Sequence, residues 1–426
     1  MNLGEKIRYF RKVKNLSQQE LSAGICSVPY LSKIENGVTE PSEEIQQHLA
    51  ARLDIRLHTI NENELIQNYV KLFYSLYQRD YQSAEQQYHT LLHSRSQSVE
   101  EDILHKIFKS IYIMMAMEDT KEVSSLLDEV AYIDNVIKGE KAFYYLIARG
   151  QLSFYLEEFQ ECFNYLTRAE KLLEEHRFQE WEKGYLLYTI GLTAHKLYKN
   201  VVTLEYTNKA LEIFEKTYFF KRCADCRVLL ATVHLRIKNF EESAKHLLLA
   251  ETIANSFGDS DHLKGIIYHN LGGIATHKGE TEEAIKLYSR SLLAKENEPL
   301  SLKIVTLSAL VKSYQVCNDR EKGLELINTW MDQLKDNSLF RGYELHFLYH
   351  KHLFTHGELN EDAVQFMIKE LIPYFEKRNE WIFLSEYYPI IGKYFENNQK
   401  YKQASVYYSS AILSMKKMYD FGVTYI

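Results

Sequence analysis

Five times along this chain of 426 residues a small side chain is followed nineteen positions later by another: Gly150 and Ala169, Gly191 and Ala210, Ala231 and Ala250, Gly272 and Ser291, Gly392 and Ala411. The first members of these pairs belong to a longer series of anchors, Leu72, Ile111, Gly150, Gly191, Ala231, Gly272, Val311, Lys351 and Gly392, with steps of 39, 39, 41, 40, 41, 39, 40 and 41. A period near 40 held over nine units marks a repeat array, in which each unit buries its apolar face only by stacking on its neighbours. The scarcity of turn formers makes the units helical: the chain has Gly 17 and Pro 5, against about 30 and 21 at average usage, and no proline from Ser42 to Glu298. The fold class is therefore all-α, and the 46% hydrophobic content excludes a disordered or Pro-rich chain.

The clearest unit, Leu271-Gly272, Lys278-Gly279-Glu280, Ala284 and Tyr288, resembles the tetratricopeptide repeat. That resemblance implies a right-handed superhelical solenoid of about nine repeats over 67–426, with a concave face suited to an extended peptide or a protein. The period exceeds the usual length of about 34, so helices or loops are longer than in the consensus unit. In this family certain first-helix positions around the anchor face inward. Carried over, they give Tyr188 and His195; Thr232 and Arg236; His269 and Asn270; and Ser308, Lys312 and Gln315 as peptide-binding candidates. An amide such as Asn270 can donate to a peptide C=O and accept from its N–H, and Arg236 and Lys312 can hold a carboxylate. Each of these side chains is also open to a role in packing between repeats or on the solvated surface, Asn270 least of all.

Residues 1–55 have a different pattern. Leu3, Ile7, Phe10, Val13 and Leu16 recur at helical spacing, with Lys6, Arg8, Arg11, Lys12 and Lys14 on the remaining faces. Ser17 and Glu20 form a capping box that starts a second helix. Ser27 caps a third, which tolerates Pro29 in its first turn because that amide has no partner there, and Asn36-Gly37 ends it. Pro41-Ser42 opens a fourth helix with Ile45, Leu49 and Leu53 on its buried face. Two short helices across a tight turn make a helix-turn-helix, whose second helix fits the major groove. The strings Leu16-Ser17-Gln18-Gln19-Glu20-Leu21 and Leu31-Ser32-Lys33-Ile34-Glu35-Asn36-Gly37 resemble the Cro/C1-type (XRE) family, with a turn one residue shorter. The resemblance implies promoter DNA as a partner. Gln18 would bond a phosphate or brace the third helix, and Ser27, Val28, Pro29, Tyr30, Lys33 and Arg11 would lie at the DNA. With seven Lys/Arg against seven Asp/Glu over these residues the head is neutral, so paired heads on two half-sites are expected. Residues 56–66 are expected to form a linker.

No chemistry of catalysis emerges. Cys223 and Cys226 match C-x-x-C without a second pair or a redox context, and His352 and His356 at i, i+4 lack further ligands, so neither a metal nor a cofactor is expected. The N-terminus lacks the apolar core of a signal peptide, no run of 18 apolar residues occurs, and five scattered cysteines suit reduced thiols. A cytoplasmic protein with no membrane partner is expected. Head and array together resemble the peptide-pheromone receptors of Gram-positive bacteria, the group of Rgg, Rap, NprR, PlcR and PrgX, and within it the neutral-protease-regulator branch. The resemblance implies a quorum-sensing regulator, not an enzyme, that binds a short signalling oligopeptide and acts as a homodimer or homotetramer. It further implies that the peptide-free form binds a response regulator protein of the sporulation phosphorelay. A Rap-like protein that acts only on response regulators and an arbitrium-type phage repressor share this layout.

Overall fold

The computed structural model describes residues 3–55, 62–92, 98–116, 120–131, 137–256, 261–335 and 339–420, and every regular element in them is a helix. The chain divides into two compact units, Met1–Phe178 and Gln179–Ile426.

The first unit begins with the head: α1 Leu3–Val13, α2 Gln18–Ser22, α3 Val28–Glu35 and α4 Glu43–Leu53. Both expected caps are present. Ser17 Oγ accepts from the Glu20 amide while the Glu20 carboxylate accepts from the Ser17 amide, and Ser27 accepts from the Tyr30 amide. Ser42 occupies the cap position of α4 without a side-chain bond. Ile7, Phe10, Leu21, Leu31, Ile34, Leu49 and Leu53 close the core. Gly4 brings α1 against the end of α3, where a Cβ would lie 1.8 Å from the Ile34 carbonyl oxygen.

Three helical hairpins complete this unit: α5 Glu62–Tyr77 with α6 Tyr81–Leu92, α7 Val99–Ala116 with α8 Thr120–Ala131, and α9 Glu140–Tyr155 with α10 Phe159–Glu175. Helix α5 starts inside the stretch expected as linker, of which residues 56–61 lie outside the described residues. The head docks on α7. Lys6 pairs with Glu100 at 3.0 Å, the Tyr9 hydroxyl donates to Asp102, and Lys106 reaches Tyr9 at 3.1 Å while pairing with Asp102 and Glu129 at 2.9 Å each.

The second unit holds six hairpins: α11 Glu180–Lys196 with α12 Asn200–Lys216, α13 Phe220–Arg236 with α14 Phe240–Asn255, α15 Asp261–Lys278 with α16 Thr281–Ala294, and α17 Leu300–Val316 with α18 Arg320–Leu334. In the next, α19 Arg341–His356 pairs with a second arm made of α20 Glu361–Phe366, a π-helical turn Met367–Leu371 and α21 Ile372–Lys377; in the last, α22 Trp381–Asn397 pairs with α23 Tyr401–Asp420. The small residues do what their spacing implies. A Cβ on Gly191 would lie 2.6 Å from Thr207 Oγ1 and 3.3 Å from its amide; on Gly272 it would meet the Tyr288 ring, and on Gly392 the Tyr408 ring, each at 2.7 Å.

One anchor is corrected. Seven of the described hairpin turns carry a residue in the left-handed region, seven after the anchor: Arg79, Glu157, Tyr198, Lys238, Gly279, Asn318 and Gln399, with φ between 58° and 78°. In the eighth hairpin that residue is Gly357, seven after His350 rather than Lys351. His350 is 4% exposed, whereas the Lys351 ammonium bonds Asn328 Oδ1 at 2.9 Å on the surface. The steps around it become 39 and 42; the additional length lies in the turn before α20, which starts eleven residues after the anchor where its neighbours start after nine, and the second arm then carries the π-helical turn just ahead of Pro373, whose missing amide proton leaves a gap in an α-helical ladder. No helix among the described residues is long and apolar enough to cross a membrane.

Candidate functional site

The recognition helix presents its first turn. Ser27, Val28, Pro29 and Lys33 are exposed and Tyr30 is half-buried, while Leu31, Ile34 and Glu35 face the core. Its orientation comes from a polar brace at the far end. Arg11 clamps the Glu35 carboxylate with Nε at 2.6 Å and Nη2 at 2.9 Å, gives Nη1 to the Leu16 carbonyl at 2.9 Å, and Gln18 Nε2 donates to Glu35 at 2.8 Å. Burial by itself would raise the Glu35 carboxyl; the hydrogen bonds from Arg11 and Gln18 and the Arg11 charge outweigh it and hold it below the usual carboxylate range. Gln18 thus takes the bracing role. Arg11, expected at the DNA, spends its guanidinium inside the head, because its place on α1 points it at Glu35.

The nine peptide-binding candidates all fall on the first helices of four consecutive hairpins, α11, α13, α15 and α17. Their surroundings separate them. Arg236 reaches back from α13 to α11, with Nη1 on the His195 carbonyl at 3.1 Å and on Asn200 Oδ1 at 3.2 Å, Nη2 3.0 Å from His195 Nε2, and its Cζ 4.5 Å from the Tyr198 ring centre. Lys312 is paired with Glu386 of α22 at 2.6 Å. Gln315 lines a cavity of about 300 Å³ with Arg320, Tyr349, Leu353 and Phe354. Asn270 is 7% exposed and gives Nδ2 to the Ile266 carbonyl one turn back at 3.0 Å, which sets its rotamer. Thr232 bonds its own helix at Val228, Tyr188 is half-buried, and Ser308 is 8% exposed.

His269 serves packing instead. Its Nδ1 lies 3.1 Å from Thr306 Oγ1, its ring is 5.6 Å from that of Tyr288, and burial, aided by the Lys295 charge, holds it down to about 4. Tyr198, Asn200 and Glu386 went unnoticed in the sequence. Tyr198 sits in the hairpin turn and Asn200 begins α12, both outside the inward positions of the first helices, and Glu386 meets Lys312 only through a contact 74 residues apart. Cys223 and Cys226 are 2% and 0% exposed, and burial pushes the Cys223 thiol up to about 11.

Family profiles described as helix-turn-helix and tetratricopeptide repeat match residues 7–60 and 223–297. Head and array together define the class: a helix-turn-helix head joined to a tetratricopeptide-repeat array. It is similar to the transcriptional activator NprA of Geobacillus stearothermophilus, with 28% identity over 405 residues covering 93% of this chain and 99% of NprA. The fold is that of the quorum sensor NprR from B. thuringiensis in its apo form, at a TM-score of 0.71 and 22% identity, covering 83% of this chain and 99% of NprR. NprR in complex with its cognate peptide NprX superposes at 0.66 and 21%, covering 84% and 100%.

Proposed function

We propose that this transcription regulator is switched by a short, re-imported signalling oligopeptide. The head, residues 1–55, reads promoter DNA through the exposed first turn of α3, as a homodimer or homotetramer on paired half-sites. The peptide lies along the first helices of the array, 67–426, with Asn270 clamping its backbone. Switching is a population shift, so the peptide must bind one assembly more tightly than another. The observation that carries this reading is the match to a transcriptional activator over 93% of the chain and 99% of the relative, head and array together. The resemblance carried by the sequence further implies a response regulator protein as partner of the peptide-free form.

The test is a mobility shift on duplexes enriched from a random pool, with and without short synthetic peptides. Retardation that a peptide alters is expected; no retardation in either state sinks the DNA-binding reading. Asn270→Ala is expected to weaken the peptide effect about tenfold or more and leave DNA binding intact, as for a hydrogen-bonding anchor. Unchanged peptide affinity would remove Asn270 from the site.

A further inference from the structure

Two cations sit among the peptide-binding candidates, and they differ in their partners. Lys312 is closed by Glu386. Arg236 has no acidic partner among the described residues: its contacts are a carbonyl, an amide oxygen, an imidazole and a phenol ring. A guanidinium has five N–H bonds. Two on Nη1 go to His195 O and Asn200 Oδ1, and one on Nη2 meets His195 Nε2. Two remain without a partner among the described residues.

His195 adds to this excess of donors. Burial first, then the charges of Arg236 and Lys196, hold its imidazole down to about 3, so the ring is neutral at physiological pH. To accept from Arg236 at Nε2 it must carry its proton on Nδ1, and Nδ1 is buried with no partner among the described residues. The cluster therefore leaves two guanidinium N–H bonds open on a partly buried cation that has no counter-ion among the described residues, with an unpaired imidazole N–H buried behind it. Withholding both water and an anion from a charge is costly, and a carboxylate that accepts two parallel N–H bonds is its best-matched partner.

We propose that Arg236, held by His195, Asn200 and Tyr198, is a carboxylate-binding site, and that the ligand of the array is a peptide with an acidic group lying across the fourth and fifth hairpins. This rests on the peptide-binding reading above. The carboxylate is either that of an Asp or Glu side chain or the peptide's own C-terminus.

The two sources separate in a selection. Random heptapeptide libraries, one with free C-terminal carboxylates and one amidated, are passed over the immobilised full-length protein, and the retained peptides are sequenced by mass spectrometry. A side-chain source gives about tenfold enrichment of Asp or Glu at one position in both libraries; a C-terminal source gives retention from the free-acid library alone. R236Q is expected to lose that preference and still retain other peptides. R236K, which keeps the charge but loses the parallel N–H pair, is expected to weaken it, and carries the test if circular dichroism shows R236Q unfolded. Retained peptides with neither an acidic nor a C-terminal preference overturn the site and spare the peptide reading. So does a preference that survives R236Q, or an R236K selection identical to wild type. Retention of no peptide at all overturns both.

Discussion

In the head, the recognition helix is held by polar bonds that converge on one buried carboxylate, Glu35, from Arg11 and Gln18. In the array, hairpins close by shape, a glycine on one helix meeting a side chain on the other, as Gly191 meets Thr207 and Gly392 meets Tyr408. The first arrangement concentrates its stability in a single group; the second spreads it over nine hairpins. A single substitution should therefore disable the head, whereas the array should yield in small, local steps.

The largest effect expected is that of Glu35→Ala. It leaves the Arg11 guanidinium, 12% exposed, without its counter-ion, and loss of one partner of a buried pair costs about 3–5 kcal/mol. Urea unfolding followed by a probe in the head should show the loss together with abolished DNA retardation; an unchanged midpoint would mean that shape, not charge, holds α3.

Acid should act on the array instead. His350 is held down to about 3, by burial and then by the Lys312 charge, and His269 to about 4. Their folded values lie below the unfolded value near 6.5, so the unfolded chain binds more protons as the pH falls below 6.5. Stability is whole above that point and declines toward the folded values; at pH 4.5 a residue like His350 accounts for a loss on the order of 3 kcal/mol. Thermal melts from pH 7.5 to 4.5 should show a steep decline that His350→Phe makes shallower. A flat profile would break the assignment of these rings to the packed interior.

Gly392→Ala comes next, at about 2 kcal/mol, since its Cβ would press on Tyr408 and the ring must move. The loss should be confined to the last hairpin, as hydrogen exchange of α22 and α23 would report; protection lost throughout the unit would deny the local character of these contacts. The smallest change is a gain. Lys238 holds a left-handed conformation with φ 60° in a turn where the next hairpin has Gly279, and Lys238→Gly should stabilise by about 0.5 kcal/mol in a denaturant melt. A loss would mean that its side chain contributes more than the backbone conformation costs.

What the sequence made legible follows the same division. Caps at Ser17 and Ser27 and the small residues at Gly191 or Gly272 depend on neighbours at fixed local spacing, so their pattern carries the structure. Pairings set by tertiary placement left no such trace. Tyr9 with Asp102 and Lys312 with Glu386 are 93 and 74 residues apart. Arg11 looked like a DNA contact because a basic helix face does not say which cation has an acid waiting inside. His269 and Arg236 both occupy inward positions of their repeats, three before and five after the anchor, and only their surroundings separate them: one meets Thr306 and Tyr288, the other has no acidic partner among the described residues.

The π-helical turn at Met367–Leu371 has a consequence for how such a chain can change its length. One residue added to an α-helix rotates every later side chain by about 100°, which would turn the next hairpin's contact face away from its neighbour. Here the wider winding is confined to five residues, and Gly392 and Ala411 keep their spacing of nineteen in the hairpin beyond. An insertion is thereby prevented from propagating. A chimera that exchanges the last hairpins with those of a relative should carry this turn as a whole or omit it as a whole, because a cut inside it shifts everything downstream out of phase.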